Sequence, residues 1–178
     1  MQNIRVCADG IFRSSGERLD SESPLQVTNT LIRDIHTRLI YVFGDAGSGK
    51  TSFIRSIYDQ FKDGRELQIH ITSTSAISAQ NIMSIPPAET IHTRLGLGYI
   101  YQYTLTSNRY HTDATARELW RTISCNIHKF RKAYMFLTTT DVLIIDEISM
   151  LNIHFWRVID QLFRLATNCA DAPFGKLK

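Results

Sequence analysis

Short apolar runs alternate along the chain with longer stretches in which apolar residues recur at helical spacing. The apolar and β-branched runs predict three strands, at 38–43, 67–71 and 142–145. Apolar residues three and four positions apart predict helices at 23–35, 51–61, 76–82, 116–134 and 152–165. Because strands that alternate with helices are typical of a parallel sheet covered by helices, the pattern predicts an α/β fold.

Three details of this pattern lead to more specific expectations. The strand at 142–145 is apolar throughout, as expected of a central strand covered on both faces. The first 20 residues show no periodicity, and we expect a loose arm at 1–20 before a domain at 21–178. The last helix carries an apolar stripe that we expect to face the core, formed by Ile153, Trp156, Ile159, Leu162 and Phe163.

Composition narrows the class of protein. The chain has 178 residues, enough for one domain with its own core, and its net charge of +3 is too small to indicate nucleic-acid binding by itself. The longest apolar run is five residues and the N-terminus has no apolar signal region, which argues against a membrane or secreted protein. The three cysteines form no metal-binding or disulfide pattern, so we expect a nuclear or cytosolic protein.

A glycine-rich segment follows the first predicted strand and begins the next helix. Residues 44–51 fit the phosphate-loop pattern G-x-x-x-x-G-K-[ST] at every position. Glycines let backbone N–H groups converge on an anion, Lys50 places a positive charge near the phosphates, and the Thr51 hydroxyl is a suitable Mg²⁺ ligand. The predicted nucleotide-binding residues here are Gly44, Asp45, Ala46, Gly47, Ser48, Gly49, Lys50, Thr51 and Ser52.

Two adjacent acids follow the third predicted strand. A parallel strand carries Asp146 to the carboxyl edge of the sheet, where ligands bind in open α/β folds. There Asp146 can hold Mg²⁺, and Glu147 can orient and deprotonate an attacking water. The pair favours nucleoside triphosphate hydrolysis. The chain has no N-K-x-D motif, which argues against a GTPase, and no arginine-rich lid, which argues against a nucleotide kinase.

Four blocks together resemble the PIF-type, RecD-like branch of superfamily-one DNA helicases. They are GDAGSGKTS at 44–52, TSTSAISAQNI at 72–82, TIH at 90–92 and VLIIDEISML at 142–151. Residues 101–108 also resemble a stretch of the helicase subunit of herpesvirus helicase–primase complexes, which suggests a viral source. The resemblance implies an ATP-dependent DNA helicase that acts in replication, recombination or repair with 5′→3′ polarity, built on a RecA-like parallel sheet.

The resemblance also implies roles for residues outside the two nucleotide motifs. Gln26 lies where this family keeps a glutamine that contacts adenine. The residues expected to contact single-stranded DNA are Thr72, Ser73, Thr74, His92 and Thr93. The implied cofactors are ATP and Mg²⁺, and the implied partners are single-stranded DNA, a second RecA-like lobe and primase or replisome subunits.

The chain departs from the family pattern after residue 175. The family's Gly-Asp-x-x-Gln motif and second RecA-like lobe are not in this sequence, so we expect a single truncated lobe. Hydrolysis by such a lobe alone is expected to be weak, because an arginine finger from another lobe contributes ~10³–10⁵ in rate. Two alternatives stay open: a loader ATPase of the AAA+ type, and a non-catalytic module that binds nucleotide.

Overall fold

The computed structural model describes residues 4–7, 10–12, 40–42, 49–63, 67–82, 88–97 and 112–177. The chain forms two units, Met1–Glu66 and Leu67–Leu177. The predicted helix at 23–35, Gln26, residues 44–48 and the herpesvirus-like segment at 101–108 lie outside the described residues.

The described residues of the first unit form three strands and one helix. They are β1 (Ile4–Cys7), β2 (Gly10–Phe12), β3 (Ile40–Val42) and α1 (Lys50–Asp63). Strand β1 pairs antiparallel with β2 and parallel with β3.

The predictions of a strand before the phosphate loop and a helix after it are confirmed. Residues 4–7 and 10–12, which lie in the arm expected at 1–20, form strands here, because the alternating Ile-Arg-Val-Cys run has a partner strand on each side.

The second unit is built on a parallel sheet in the order β5-β4-β6. Its strands are β4 (Ile69–Ser73), β5 (Glu89–Thr90) and β6 (Val142–Asp146). The register places Ser73 opposite both Thr90 and Asp146, so the carboxyl ends of all three strands meet at one edge. All five residues of β6 are half-buried, so in the described part of this unit the strand is not covered on both faces as predicted. Among the described strands of the unit, β4 is the one that has a neighbouring strand on each side.

Six helical segments of this unit lie in the part of the chain that the structure describes. They are α2 (Ala76–Ile82), α3 (Ile91–Arg94), α4 (Thr112–Cys125), α5 (Arg131–Thr139), a short 3₁₀ helix (Ile148–Met150) and α6 (Ile153–Ala166). The prediction for α2 is confirmed residue by residue. None of the helices in the described ranges combines the length and the apolar character of a membrane-spanning segment.

The single helix predicted over 116–134 is wrong, because a turn at 126–130 divides it into α4 and α5. The carbonyl of Asn126 accepts hydrogen bonds from the N–H groups of Lys129 and Phe130, both at 3.0 Å. The Asn126 side chain donates to the carbonyl of Thr122 at 2.9 Å, which satisfies one of the free carbonyls at the end of α4. The turn brings Trp120 of α4 and Tyr134 of α5 into a stacked pair, 5.8 Å between ring centres.

Helices α4, α5 and α6 pack into the hydrophobic core of the second unit. Phe136 and Phe163 meet edge to face at 5.5 Å between ring centres, and both are almost fully buried. The expected stripe of α6 is confirmed for Ile159, Leu162 and Phe163.

For the first turn of α6, the prediction of which helix face is buried is wrong. Ile153 is 58% exposed, whereas Phe155 and Val158 are buried. The buried positions 155, 158, 159, 162 and 163 follow the spacing of one helical face, and Ile153 lies about 200° of rotation from Phe155, on the opposite side. The sequence alone does not decide which face of the first turn is buried, because both faces carry apolar residues.

The residues that follow α6 are hydrogen-bonded to side chains of that helix. Arg164 donates from Nε to both carboxylate oxygens of Asp160 at 2.9 and 3.0 Å, and from Nη1 to the carbonyl of Ala170 at 2.5 Å. Asp160 also accepts from the N–H of Phe174 at 2.5 Å, and Leu177 is buried. One half-buried ion pair on α6 therefore holds the segment that follows the helix.

We expect Phe136→Ala to lower the free energy of unfolding of the chain by about 3–5 kcal/mol, because it removes a buried ring and leaves a cavity. The neighbouring Met135→Ala is the matched control, since that side chain is 46% exposed on the same helix, and its effect should stay below about 1 kcal/mol. Urea unfolding followed by circular dichroism measures both. Equal effects of the two variants would contradict the placement of the core.

Candidate functional site

The phosphate loop ends at the N-terminus of α1. Gly49 has a φ of 89°, in the region that glycine adopts without strain, and its carbonyl accepts the first helical hydrogen bond from Phe53 at 2.9 Å. Lys50 and Thr51 are half-buried in the first turn, and Ser52 is exposed. The described end of the loop therefore has the glycine-to-helix transition that anion binding at a helix N-terminus requires.

The acidic pair forms a strained turn at the end of β6. Glu147 has φ 55° and ψ 38°, a left-handed conformation that costs a residue with a side chain about 1–2 kcal/mol. Thr74 at the end of β4 offsets this cost: its N–H donates to the carbonyl of Asp146 at 3.3 Å, and its Oγ1 donates to the carbonyl of Glu147 at 2.9 Å. The Glu147 side chain is exposed, so it can reach water or a ligand.

The Asp146 carboxylate is half-buried and held from one side. Ser78 of α2 donates from Oγ to Oδ2 of Asp146 at 2.7 Å. From the residues that the structure describes, no hydrogen bond reaches Oδ1. Mg²⁺ prefers hard oxygen ligands, the kind of atom that the Asp146 carboxylate carries and that the Thr51 hydroxyl of the other unit also carries. The residues that the structure describes include no group of three or more His, Cys, Asp or Glu residues that could hold a metal ion.

The hydroxyl residues at the end of β4 bond mainly to β6. Thr72 and Ser73 are fully buried, and they donate to the carbonyls of Ile144 at 3.2 Å and Asp146 at 3.5 Å. Both hydroxyls are therefore bonded within the protein, and the Ser73 hydroxyl also accepts from the N–H of Ser75 at 3.3 Å. Thr74 is half-buried. In this conformation Thr72 and Ser73 offer no hydroxyl to a DNA phosphate, and the DNA contact of the segment stays a prediction.

The second segment expected to contact DNA lies beside the first. Thr90 pairs with Ser73 in the sheet and caps α3, accepting from the N–H of Thr93 at 3.2 Å. Thr93 is exposed, and its hydroxyl is 2.8 Å from that of Thr90. His92 is half-buried and stacks on Phe155 at 4.4 Å, and burial lowers the pKa of His92. The structure thus brings 72–74, 90–93 and 146–147 to one edge of the sheet.

Sequence reasoning missed the side chains that support this edge. Arg94 donates to Oε2 of Glu89 at 3.1 Å and to Nδ1 of His70 at 2.8 Å, and it lies over the ring of Phe136 at 5.8 Å. Because arginine can only donate, Nδ1 of His70 must be unprotonated. Neither this cluster nor Ser78 has a sequence signature, since its members come from separate elements with no characteristic spacing.

Burial of His70, together with the positive charge of Arg94, lowers the pKa of His70 from 6.5 to about 4. The neutral ring therefore persists in the folded protein at pH values where an exposed histidine is charged.

Comparisons with known proteins agree with this architecture. A family model described as AAA domain matches residues 28–169. ATP-dependent DNA helicase PIF7 of Trypanosoma brucei brucei is 27% identical over 143 residues, which are 80% of this chain and 12% of that protein. ATP-dependent DNA helicase PIF1 of Candida albicans is 28% identical over 141 residues, 78% of this chain and 13% of that protein.

Superposition on solved structures supports the same architecture. The crystal structure of Pif1 helicase from Candida albicans superposes with a TM-score of 0.65 and 25% identity, covering 88% of this chain and 30% of that one. Unliganded Pif1 from Bacteroides sp. gives a TM-score of 0.54, also at 25% identity, with the same coverage of 88% and 30%. These matches confirm the predicted α/β, RecA-like P-loop fold. The chain spans about an eighth of the length of the two relatives and about a third of these solved chains.

We expect the stability of the protein to fall as the pH drops from 6.5 towards 4. In that window the unfolded chain binds a proton at His70 that the folded chain does not, so acid favours unfolding; His92 acts in the same direction. His70→Gln keeps an acceptor for Arg94 but does not titrate. Urea unfolding midpoints at pH 7.5 and 5 should differ less in this variant than in the wild type, and an equal difference would contradict the prediction.

We expect Glu147→Gly to be more stable than Glu147→Ala by about 1 kcal/mol, because only glycine adopts φ 55° without strain. Both variants lack the carboxylate, so the comparison isolates the backbone. Thermal unfolding of the two proteins measures the difference. A more stable alanine variant would show that residue 147 is not left-handed in solution.

Proposed function

The chain belongs to the AAA domain family and is related to the Pif1-like helicase family, and from this premise we propose that it is the ATP-binding and ATP-hydrolysing part of a DNA helicase. The observation that carries the proposal is the acidic turn. The parallel register of β4 and β6 places Asp146 and Glu147 at the carboxyl edge of the sheet, where α/β proteins bind their ligands. An exposed glutamate next to a half-buried aspartate suits water activation beside a metal ion.

We assign the nucleotide roles to the two acidic residues and the phosphate loop. Backbone N–H groups of residues 44–51 and the ammonium group of Lys50 bind the phosphates of ATP. Thr51 and Asp146 hold Mg²⁺, which when bound neutralises charge on the β- and γ-phosphates. Glu147 orients the attacking water and accepts its proton. Gln26 contacts the adenine ring, on the strength of the sequence resemblance.

We assign single-stranded DNA to the edge formed by segments 72–74 and 90–93. Thr93 is exposed and Thr74 and His92 are half-buried there, and short polar side chains suit contacts to phosphate without reading bases. Thr72 and Ser73 are buried, so in this conformation they support the backbone of the surface and do not contact DNA themselves. Their hydroxyls would reach DNA only after a rearrangement. A second RecA-like lobe completes the groove and converts ATP turnover into stepping along the strand.

Four finer proposals rest on the sequence resemblance: 5′→3′ polarity, action in replication, recombination or repair, primase or replisome subunits as partners, and a viral source. The proposal of a nuclear or cytosolic location rests on the cysteine pattern and on the lack of an apolar signal region in the sequence. All of them concern the whole protein, and this chain spans about an eighth of the length of the relatives it matches.

We expect Glu147→Gln to reduce single-turnover ATP hydrolysis by about 10²–10⁴-fold, because it removes the general base, while ATP binding is retained. Glu118→Gln is the matched control, since Glu118 is exposed on α4 and should leave the rate unchanged. Single-stranded DNA should stimulate the wild type and the control, but not Glu147→Gln. The measurement is phosphate release from radiolabelled ATP with enzyme in excess, with and without an oligonucleotide.

Other outcomes point to other functions. Hydrolysis that depends on Glu147 but is indifferent to single-stranded DNA indicates a loader ATPase of the AAA+ type. Nucleotide binding without hydrolysis in the wild type indicates a non-catalytic module. Absence of nucleotide binding would overturn the proposal altogether.

A further inference from the structure

Ser78 makes a contact that the assigned nucleotide roles do not use. Its hydroxyl donates to Oδ2 of Asp146 at 2.7 Å, a short, charge-assisted hydrogen bond across 68 residues of chain. Among the described residues, Ser78 is the one whose side chain bonds this carboxylate. A serine on a helix surface usually bonds to its own backbone or to water, so a bond to a carboxylate on another element requires a specific placement.

Helix α2 holds Ser78 in that place. Ser75 caps the helix by accepting from the N–H of Ser78 at 3.1 Å, which fixes the backbone of residue 78 directly. Ala79 and Ile82 are buried on the inner face of α2, with exposed fractions of 2% and 0%. The serine hydroxyl is therefore presented to Asp146 by a fixed helix and not by a flexible loop.

The carboxylate that Ser78 holds has few other restraints. An aspartate side chain has two rotatable bonds, and a metal ligand that is free to rotate must be ordered when the ion binds. The bond to Oδ2 selects one orientation and leaves Oδ1 without a protein donor in the described residues. Orientation of a ligand by a neighbouring hydrogen bond is how metal sites are commonly tuned.

We propose that Ser78 is a positioning residue that fixes the Asp146 carboxylate in the orientation that binds Mg²⁺. The proposal rests on the proposed function, because it takes Asp146 as the metal ligand. It adds a third element, α2, to the two motifs that the sequence identifies. Its consequence is that the metal affinity of the nucleotide complex depends on a side chain that touches neither metal nor nucleotide.

The test compares Mn²⁺ binding to the ADP complex of Ser78→Ala with that of the wild type, followed by the electron paramagnetic resonance signal of free Mn²⁺. We expect Ser78→Ala to bind Mn²⁺ about three- to tenfold more weakly, the loss of one hydrogen bond. Its affinity for ADP without metal should stay within twofold of wild type. Ser149→Ala is the matched control, since Ser149 is exposed just beyond the acidic turn, and it should leave both affinities unchanged.

A second pair of variants keeps the test decisive if Ser78→Ala does not fold. Ser78→Thr retains the hydroxyl and Ser78→Val replaces it with a methyl group of similar shape. Threonine should restore Mn²⁺ affinity to within twofold of wild type, and valine should not.

The outcomes separate the two proposals. Wild-type Mn²⁺ affinity in Ser78→Ala and Ser78→Val, or tighter binding, would overturn the role of Ser78 and leave the proposed function standing. Equal weakening of ADP binding with and without metal would show a purely structural role and overturn the inference too. A wild type whose ADP complex binds no Mn²⁺ would overturn both.

Discussion

The parallel pairing of β4 with β6 is the constraint on which the whole candidate site depends. The register runs from Ile69 opposite Val142 to Ser73 opposite Asp146, between segments about 70 residues apart in the chain. Side chains alternate between the faces of a sheet, so a slip of one residue would move Asp146 to the other face and away from Ser78. In the observed register the buried hydroxyl of Thr72 donates to the carbonyl of Ile144 at 3.2 Å.

The hydroxyl-rich segment 72–74, at the carboxyl end of β4, connects the expected DNA-binding surface with the acidic turn, which the sequence analysis treats as separate sites. Residues 72–74 resemble a DNA-contacting motif, yet in the structure they bond to the backbone around the acidic turn. Thr74 donates to the carbonyls of both Asp146 and Glu147. A displacement of this segment must therefore either carry the acidic turn with it or break these bonds.

Local patterns predicted most of the fold because strands and amphipathic helices leave a periodic signal. The strands at β3, β4 and β6 and the helices α1 and α2 follow from apolar spacing, and the phosphate loop follows from its glycines and lysine. The break between α4 and α5 did not, because it depends on the bonds of Asn126 in a stretch that is otherwise compatible with a helix. Ser78 and the His70–Arg94–Glu89 cluster were also missed, since contacts between distant elements leave no local pattern.

The ion pair on α6 gives the end of the second unit a cooperative character. Arg164 and Asp160 bond to each other and also to Ala170 and Phe174, so the segment that follows the helix is held by side chains of the helix itself. Release of residues 170–177 from α6 would expose Leu177 and leave the Asp160 carboxylate with one donor fewer. We therefore expect the backbone amides of this segment to exchange with solvent in the same opening event as the last turn of α6, so that the two behave as one foldon.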